Sequence, residues 1–350
     1  MKVLSVVGTR PNFLKEMAFH RALAATGATE VVVHTGQHTK FEMSRLFFEE
    51  LALPEPSYHA DLPPGSSTGQ LGWMLPWLEQ ILISEAPDVT LVYGDVTSTA
   101  AGAWASARLG VPVAHVEGGI RTEARTNPEE INRRVADHLS DLVFPNTRHA
   151  YEALLGEGFN PADVVLPGDI VADIVRIAVE EFGIEVGRGD YCLATVHRAE
   201  NTDDPARLGK VLTALVDADR PIVFPLHPRT RAAIEAHHLF GVLAGSRVEV
   251  VDPLGYRDFQ RLLAGCERVV SDSGGVRREA YILGKPVVSL IEFEWAPAMV
   301  EAGWELVAGA DPARITEGIQ MFRPPPDRPP IFGDGHAAER IVATLCERYS

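Results

Sequence analysis

Three acidic residues stand where short apolar runs end or soon after: Asp95 beyond residues 89–93, Glu117 beyond 113–116, and Glu130 in the segment Pro128-Glu129-Glu130-Ile131-Asn132-Arg133. Gathered carboxylates push each other's pKa values apart, so that one can accept a proton while another gives one. A lone Asp after a strand is ordinarily a helix cap. Three acids converging with cations describe proton handling beside a negatively charged ligand. The cations are at hand in Gly8-Thr9-Arg10-Pro11 and Lys15. A glycine there allows a sharp turn, and the N-terminus of the following helix favours an anion. The pattern is not GxGxxG, so a dinucleotide is not indicated. Thr35-Gly36-Gln37-His38 ends another apolar run, and Arg121 and Arg133 follow the acids.

The second half carries a different chemistry. One run ends in Thr195-Val196-His197-Arg198-Ala199-Glu200-Asn201, another in His227-Pro228-Arg229-Thr230. His197 and Arg198 at a strand terminus read as phosphate and nucleotide contacts; His227 alone also fits a satisfied structural histidine. Ser271-Asp272-Ser273-Gly274-Gly275 leads into a helix containing Glu279. A strand, Ser-Gly-Gly and a helix N-terminus make an anion cradle of backbone N–H groups and a hydroxyl. A carboxylate one turn into that helix is poorly placed for phosphate but well placed to accept from ribose hydroxyls. The residues thus point to a nucleoside diphosphate on the second half and proton-handling acids on the first.

Short β-branched runs alternate with helical stretches throughout. Residues 3–7, 31–34, 89–93, 113–116, 141–144 and 164–166 read as strands of a first set. Residues 191–196, 222–226, 248–251, 269–271 and 287–290 read as a second. Runs apolar at nearly every position are parallel strands buried on both faces, and the alternation predicts doubly wound sheets. In such sheets ligands bind beyond the carboxyl ends of the strands, where these motifs fall. The 350 residues suit two domains. We place them at residues 1–168 and 169–332, with a final helix in 333–350.

A net charge of −16 argues against a nucleic-acid partner. No run approaches a membrane span, and residues 1–8 read as a strand rather than a signal peptide, so a cytoplasmic protein is expected. The three cysteines, Cys192, Cys266 and Cys346, are far apart and in no ligand spacing. They read as reduced core thiols, with no zinc or iron–sulfur site.

Taken in order, GTRP with Lys15, TGQH, Gly94-Asp95, HVEGG, PEEINR, HRAEN, SDSGG with Glu279 and the closing GDGHAAERI resemble the non-hydrolysing UDP-N-acetylglucosamine 2-epimerases over nearly the whole chain. The resemblance implies a glycosyltransferase-B fold: two Rossmann-like doubly wound domains facing across a cleft, with the last helix returning to the first. It implies no metal and no nicotinamide cofactor, a UDP-sugar substrate, and a homodimer. In that family UDP is expelled from C1 by anti-elimination, leaving 2-acetamidoglucal, and adds back with C2 protonated on the opposite face. By position Asp95, Glu117, Glu130 and His197 match catalytic residues. Ser273, Gly274, Gly275 and Glu279 match the UDP site. Arg10 and Lys15 suit the departing diphosphate, and Gln37, His38, Arg133, Arg198 and His227 complete the expected substrate contacts.

There are departures from the family pattern. Arg277 and Arg278 follow SGG-Val where Gln and an acid or Lys are usual, and residues 290–297 lack an Arg-Asp-x-Thr-Glu segment. These changes are expected to remove one cation near the nucleotide and add others. Val96 follows Asp95 where Thr is frequent. Some family members carry a regulatory site involving the TGQH residues; the segment after His38 differs, and none is assigned here. The other readings are a hydrolysing relative that releases UDP and N-acetylmannosamine, a transferase of the same fold, and a non-catalytic sugar-nucleotide sensor.

Overall fold

The computed structural model describes residues 1–37, 53–122, 126–292 and 297–350. Its contacts divide the chain into two units, Met1–Ile174 with Phe332–Ser350, and Val175–Ile331.

In the first unit, strands β1 (Lys2–Val7), β2 (Thr29–His34), β3 (Tyr58–His59), β4 (Val89–Tyr93), β5 (Val113–Gly118) and β6 (Leu142–Pro145) form one sheet in the order β3-β2-β1-β4-β5-β6. Every pairing is parallel. All residues of β4 and β5 are buried, as a parallel strand covered on both faces requires. Leu4, Val6, Val33 and Val92 pack with Met74 and Leu78 of the helix Ser67–Glu85.

The second unit repeats this winding. Strands β7 (Cys192–Thr195), β8 (Ile222–Pro225), β9 (Val248–Val251), β10 (Arg268–Ser271), β11 (Val287–Ser289) and β12 (Glu305–Val307) lie in the order β12-β11-β10-β7-β8-β9. Read from β9, this is the same 3-2-1-4-5-6 order as the first sheet. The strand order therefore reverses between β1 and β4 in one unit and between β7 and β10 in the other. Those are the switch points at which open α/β sheets hold ligands.

Three details differ from the sequence expectation. Residues 164–166 form no strand; Val164 makes an isolated parallel bridge to Val143. Strands β3 and β12 are too short for an apolar pattern to reveal, and β12 begins with a buried charge, Glu305. The division between units falls inside the helix Ile170–Glu181 rather than at Gly168, because the first turn of that helix is bonded into the first unit. Asp169 N–H donates to the Phe332 carbonyl at 2.9 Å. The Asp173 carboxylate accepts from Ala337 N–H at 3.0 Å and Ala338 N–H at 2.8 Å, fixing the start of the last helix, Ala337–Tyr349.

Among the described residues no helix is long and apolar enough to cross a membrane, and no group of three His, Cys, Asp or Glu is placed to hold a metal ion. Cys192 and Cys266 are buried free thiols, pushed up by burial to about 11 and about 12.

Candidate active site

At the first switch point, β1 turns through Gly8 and Thr9 into the helix Arg10–Ala24. Asn12 fastens this turn: its Oδ1 accepts from Gly8 N–H and Thr9 N–H, both at 3.2 Å. Its Nδ2 donates to the Tyr93 carbonyl at 3.4 Å, tying the turn to the end of β4. Arg10 is exposed at the head of this helix, whereas Lys15 is buried. Lys15 Nζ forms an ion pair with Glu117 Oε2 beside Gly94. Gly94 has φ +63°, and a Cβ there would lie 3.3 Å from Lys15 Nζ and 3.7 Å from Glu117 Oε2. The pair lies against the bare backbone of residue 94, whose positive φ itself favours glycine.

Glu117 itself has φ +68°, a left-handed conformation that costs a residue with a Cβ. It sits where the β5–β6 register shifts between Val116 and Gly118. Irregularities of this kind re-aim a side chain at a strand end, and strained backbone is kept where the surroundings over-determine it. The surroundings here are explicit. A Cβ on Gly118 would come within 2.4 Å of Asp137 Oδ1, and one on Gly119 within 2.5 Å of the Ala150 carbonyl oxygen. His115, fully buried, donates from Nε2 to the Gly94 carbonyl at 2.6 Å and sets Nδ1 2.7 Å from Asp137 Oδ1. Asp137 Oδ2 accepts from Gly119 N–H at 3.1 Å and from Arg121 at 2.7 Å. Burial pushes the Asp137 carboxyl up, but His115 and Arg121 outweigh it and hold the group below its ordinary range.

The other two acids meet on one arginine. In the helix Pro128–Leu139, Glu130, Arg133 and Asp137 are buried on one face. Arg133 donates through NH1 to Glu130 Oε2 at 2.8 Å and through NH2 to Asp95 Oδ2. Glu130 also accepts from Thr122 N–H at 3.1 Å and from Arg134 Nε at 2.7 Å. Asn132 Nδ2 donates to the Asp95 backbone carbonyl at 2.9 Å. Two ion-paired sets thus stand after β4 and β5, Lys15 with Glu117 and Arg133 with both Asp95 and Glu130, and each of the three acids is held by a cation.

Gln37 has a structural partner. Its Oε1 accepts from Ser98 N–H at 2.9 Å and Ser98 Oγ at 2.7 Å, at the start of the helix Thr97–Leu109. Val96 occupies the N-cap of that helix and makes no side-chain cap bond, so Gln37 satisfies the end that a hydroxyl at 96 would otherwise serve. His38 lies outside the described residues.

In the second unit the counterpart is built around Asp272, which is fully buried. Its carboxylate accepts from His197 N–H at 3.0 Å, Arg198 N–H at 3.0 Å and Asn201 Nδ2 at 3.0 Å. That staple holds the turn after β7 against the end of β10. The His197 ring lies 5.4 Å from that of His227, whose Nδ1 accepts from Arg229 N–H at 3.2 Å. Thr195 and Ser271 share a 2.6 Å hydrogen bond between the two strand ends. Ser273 caps the helix Gly274–Ile282, its Oγ accepting from Val276 N–H at 3.4 Å. A Cβ on Gly274 would meet nothing within 4 Å. The protein's own packing does not demand a glycine there, which fits a surface kept bare for an approaching ligand. Glu279 follows on the same helix, mostly buried, with Tyr256 Oη 3.5 Å from its Oε1.

Arg277 corrects the expectation of an added cation near the nucleotide. It is buried and pairs with Glu305 at 2.7 Å at the head of β12. Arg278 Nε is directed to the Gly274 carbonyl at 3.4 Å. In the divergent segment Glu292 is taken by Arg207, and residues 293–296 lie outside the described residues. Asn12, His115, Asp137 and Asp272 were missed as site-building residues. For Asp137 the signal was present, since positions 130, 133 and 137 share a helix face.

Two parallel sheets of identical Rossmann order in one chain, each presenting polar residues at its switch point, define an α/β protein of the glycosyltransferase-B type. The sequence profile of the UDP-N-acetylglucosamine 2-epimerases matches residues 21–346. The chain is 38% identical to a UDP-N-acetylglucosamine 2-epimerase homolog of Methanococcus maripaludis, over 99% of each chain. It is equally, 38%, identical to the UDP-2,3-diacetamido-2,3-dideoxy-D-glucuronate 2-epimerase of Pseudomonas aeruginosa, over 99% of this chain and 100% of that one. The crystal structure of the Methanocaldococcus jannaschii UDP-GlcNAc 2-epimerase in complex with UDP-GlcNAc and UDP superposes with a TM-score of 0.89 at 34% identity, covering 99% of this chain and 100% of that one. The protein belongs to the UDP-N-acetylglucosamine 2-epimerase family.

Proposed function

We propose that the protein interconverts UDP-N-acetylglucosamine and UDP-N-acetylmannosamine by the non-hydrolysing route. The observation that carries this reading is that three acids, Glu117 paired with Lys15 and Asp95 and Glu130 paired with Arg133, are each held by a cation after β4 and β5. UDP would occupy the second unit, its diphosphate at Ser273, Gly274 and Gly275 and its ribose at Glu279, with His197, Arg198 and His227 at the neighbouring strand ends. One acid removes the C2 proton; the electron pair forms the C1–C2 double bond and the C1–O bond breaks toward UDP. A UDP oxygen then attacks C1 while C2 takes a proton on its other face. Arg10 and Lys15 would offset the charge that develops on the departing diphosphate.

A second substrate is favoured by the Pseudomonas relative, whose sugar is a diacetamido glucuronate. Proton NMR in deuterium oxide with each UDP-sugar tests both readings. Deuterium at C2 of an epimerised UDP-sugar supports the proposal and identifies the substrate. Free N-acetylmannosamine with UDP supports a hydrolysing enzyme instead. Unchanged substrate, with protein that still binds UDP, favours a transferase or a sensor.

A further inference from the structure

Glu16, the residue after Lys15, is fully buried and belongs to none of the motifs above. Its neighbours come from several elements. Tyr93, the last residue of β4, donates its hydroxyl to Glu16 Oε2 at 2.7 Å. Glu30 of β2 and Ser5 of β1 are electrostatic neighbours of its carboxyl. His20, on the same helix as Glu16, meets Glu30 Oε2 through Nδ1 at 2.5 Å. The helix Ala337–Tyr349 also packs on the helix Arg10–Ala24, and its buried residues, Ala337, Ala338, Ile341, Val342 and Leu345, are apolar.

With both carboxyls ionised, Glu16 Oε1, Glu30 Oε1 and Ser5 Oγ have no partners among the described residues. Two like charges would then face each other with little screening. One proton shared between the two carboxyls would supply the missing donor and leave Glu16 Oε2 to accept from Tyr93. Burial and the facing Glu30 charge hold Glu16 well above the ordinary carboxylate range, and burial raises Glu30 as well. Glu16, wholly enclosed, keeps the proton, while Glu30 Oε2 has the partly exposed His20 ring beside it.

The cluster adjoins the candidate site through the chain itself. Tyr93 precedes Gly94 and Asp95, and its carbonyl accepts from Asn12 and, at 2.6 Å, from Thr99 Oγ1. We propose that Glu16 stands as the neutral acid, sharing its proton with Glu30, and through Tyr93 acts as a positioning residue for Asp95 and for the Lys15–Glu117 pair.

Two variants test this. Glu16→Gln keeps a neutral group with a donor and an acceptor; Glu16→Leu removes both. The infrared difference spectrum of wild type minus Glu16→Gln at pH 7 should contain the carbonyl band of a protonated carboxylic acid, and its absence overturns the proposal. Thermal unfolding gives a second readout. The folded state alone keeps this proton, so wild-type stability should fall as pH rises from about 4 through the raised pKa of Glu16. Glu16→Gln should lose that slope; parallel slopes count against the shared proton. In turnover, Glu16→Gln should stay within about twofold of wild type while Glu16→Leu loses about tenfold or more at unchanged UDP affinity, as misplaced catalytic groups do. Equal losses in both variants remove the positioning role. Only this kinetic arm rests on the epimerase reading, which its wild-type control tests by itself; the infrared and melting arms decide the proton whatever that control gives.

Discussion

The Lys15 ammonium and the Glu117 carboxylate meet in a buried ion pair that spans the end of β4, with Gly94 beneath them. Lys15 arrives from the helix after β1 and Glu117 from the end of β5, and β4 lies between those strands in the sheet. The pair therefore joins three strand ends at the switch point.

The left-handed backbone at Glu117 predicts an inverted order of stabilities. Glu117→Ala and Glu117→Gly both remove the carboxylate and leave Lys15 in the same state. Only alanine keeps the Cβ that resists positive φ, so the glycine variant should be the more stable by about 1 kcal/mol. Urea unfolding of the two variants measures this. An alanine variant as stable as the glycine variant would mean that residue 117 is not held in that conformation.

Proton handling predicts a split between chemistry and binding. Asp95→Asn and Glu117→Gln should each reduce turnover by ~10²-fold or more, the usual worth of a positioned acid or base. UDP affinity, measured by calorimetry, should stay near wild type, since an interaction made only in the transition state leaves nucleotide binding alone. Loss of UDP binding in parallel with turnover would move these acids from catalysis to binding.

Glu279 is predicted to hold the ribose. Glu279→Ala should weaken UDP by about 2 kcal/mol, as for hydrogen bonds to a charged group, with circular dichroism unchanged. Calorimetric titration giving wild-type affinity would remove Glu279 from the nucleotide site.

Arg277 and Glu305 should behave as a structural couple. Breaking a buried ion pair from one side leaves an uncompensated charge, so Arg277→Met should cost about 3 kcal/mol or more. Arg277→Met with Glu305→Met should recover most of that loss, because an apolar pair of similar volume no longer strands a charge. A double-mutant cycle by chemical denaturation checks it; additive losses would show that the two side chains act independently.

Asp137 predicts an acid limb. Its pKa is depressed in the folded state, so the stability it contributes is present above its unfolded value of about 3.9 and is lost as pH falls through the folded pKa. Asp137→Asn should be less stable than wild type at pH 7, and the gap should narrow below about pH 4. Melting curves with a pH-independent gap would contradict the assignment of an ionised Asp137 beside His115 and Arg121.

What the sequence determined by itself was where chemistry could collect. Runs apolar at every position mark strands buried on both faces, and the polar residues that end them mark the carboxyl edge of a parallel sheet. Asp95, Glu117, His197 and Ser273 stand at such ends in the chain and stand there in the structure. Strand order and partner choice were a different matter. Arg133 lies between Asp95 and Glu130, Arg277 turns inward to Glu305, and Gln37 serves the helix that Val96 leaves uncapped. Glu16 meets Glu30 only because β2 and β4 flank β1 beneath one helix. A local pattern encodes which face a side chain is on, since that follows from the period of its own helix or strand. Which charge it meets depends on elements brought alongside from far away in the chain, and only the folded sheet fixes that.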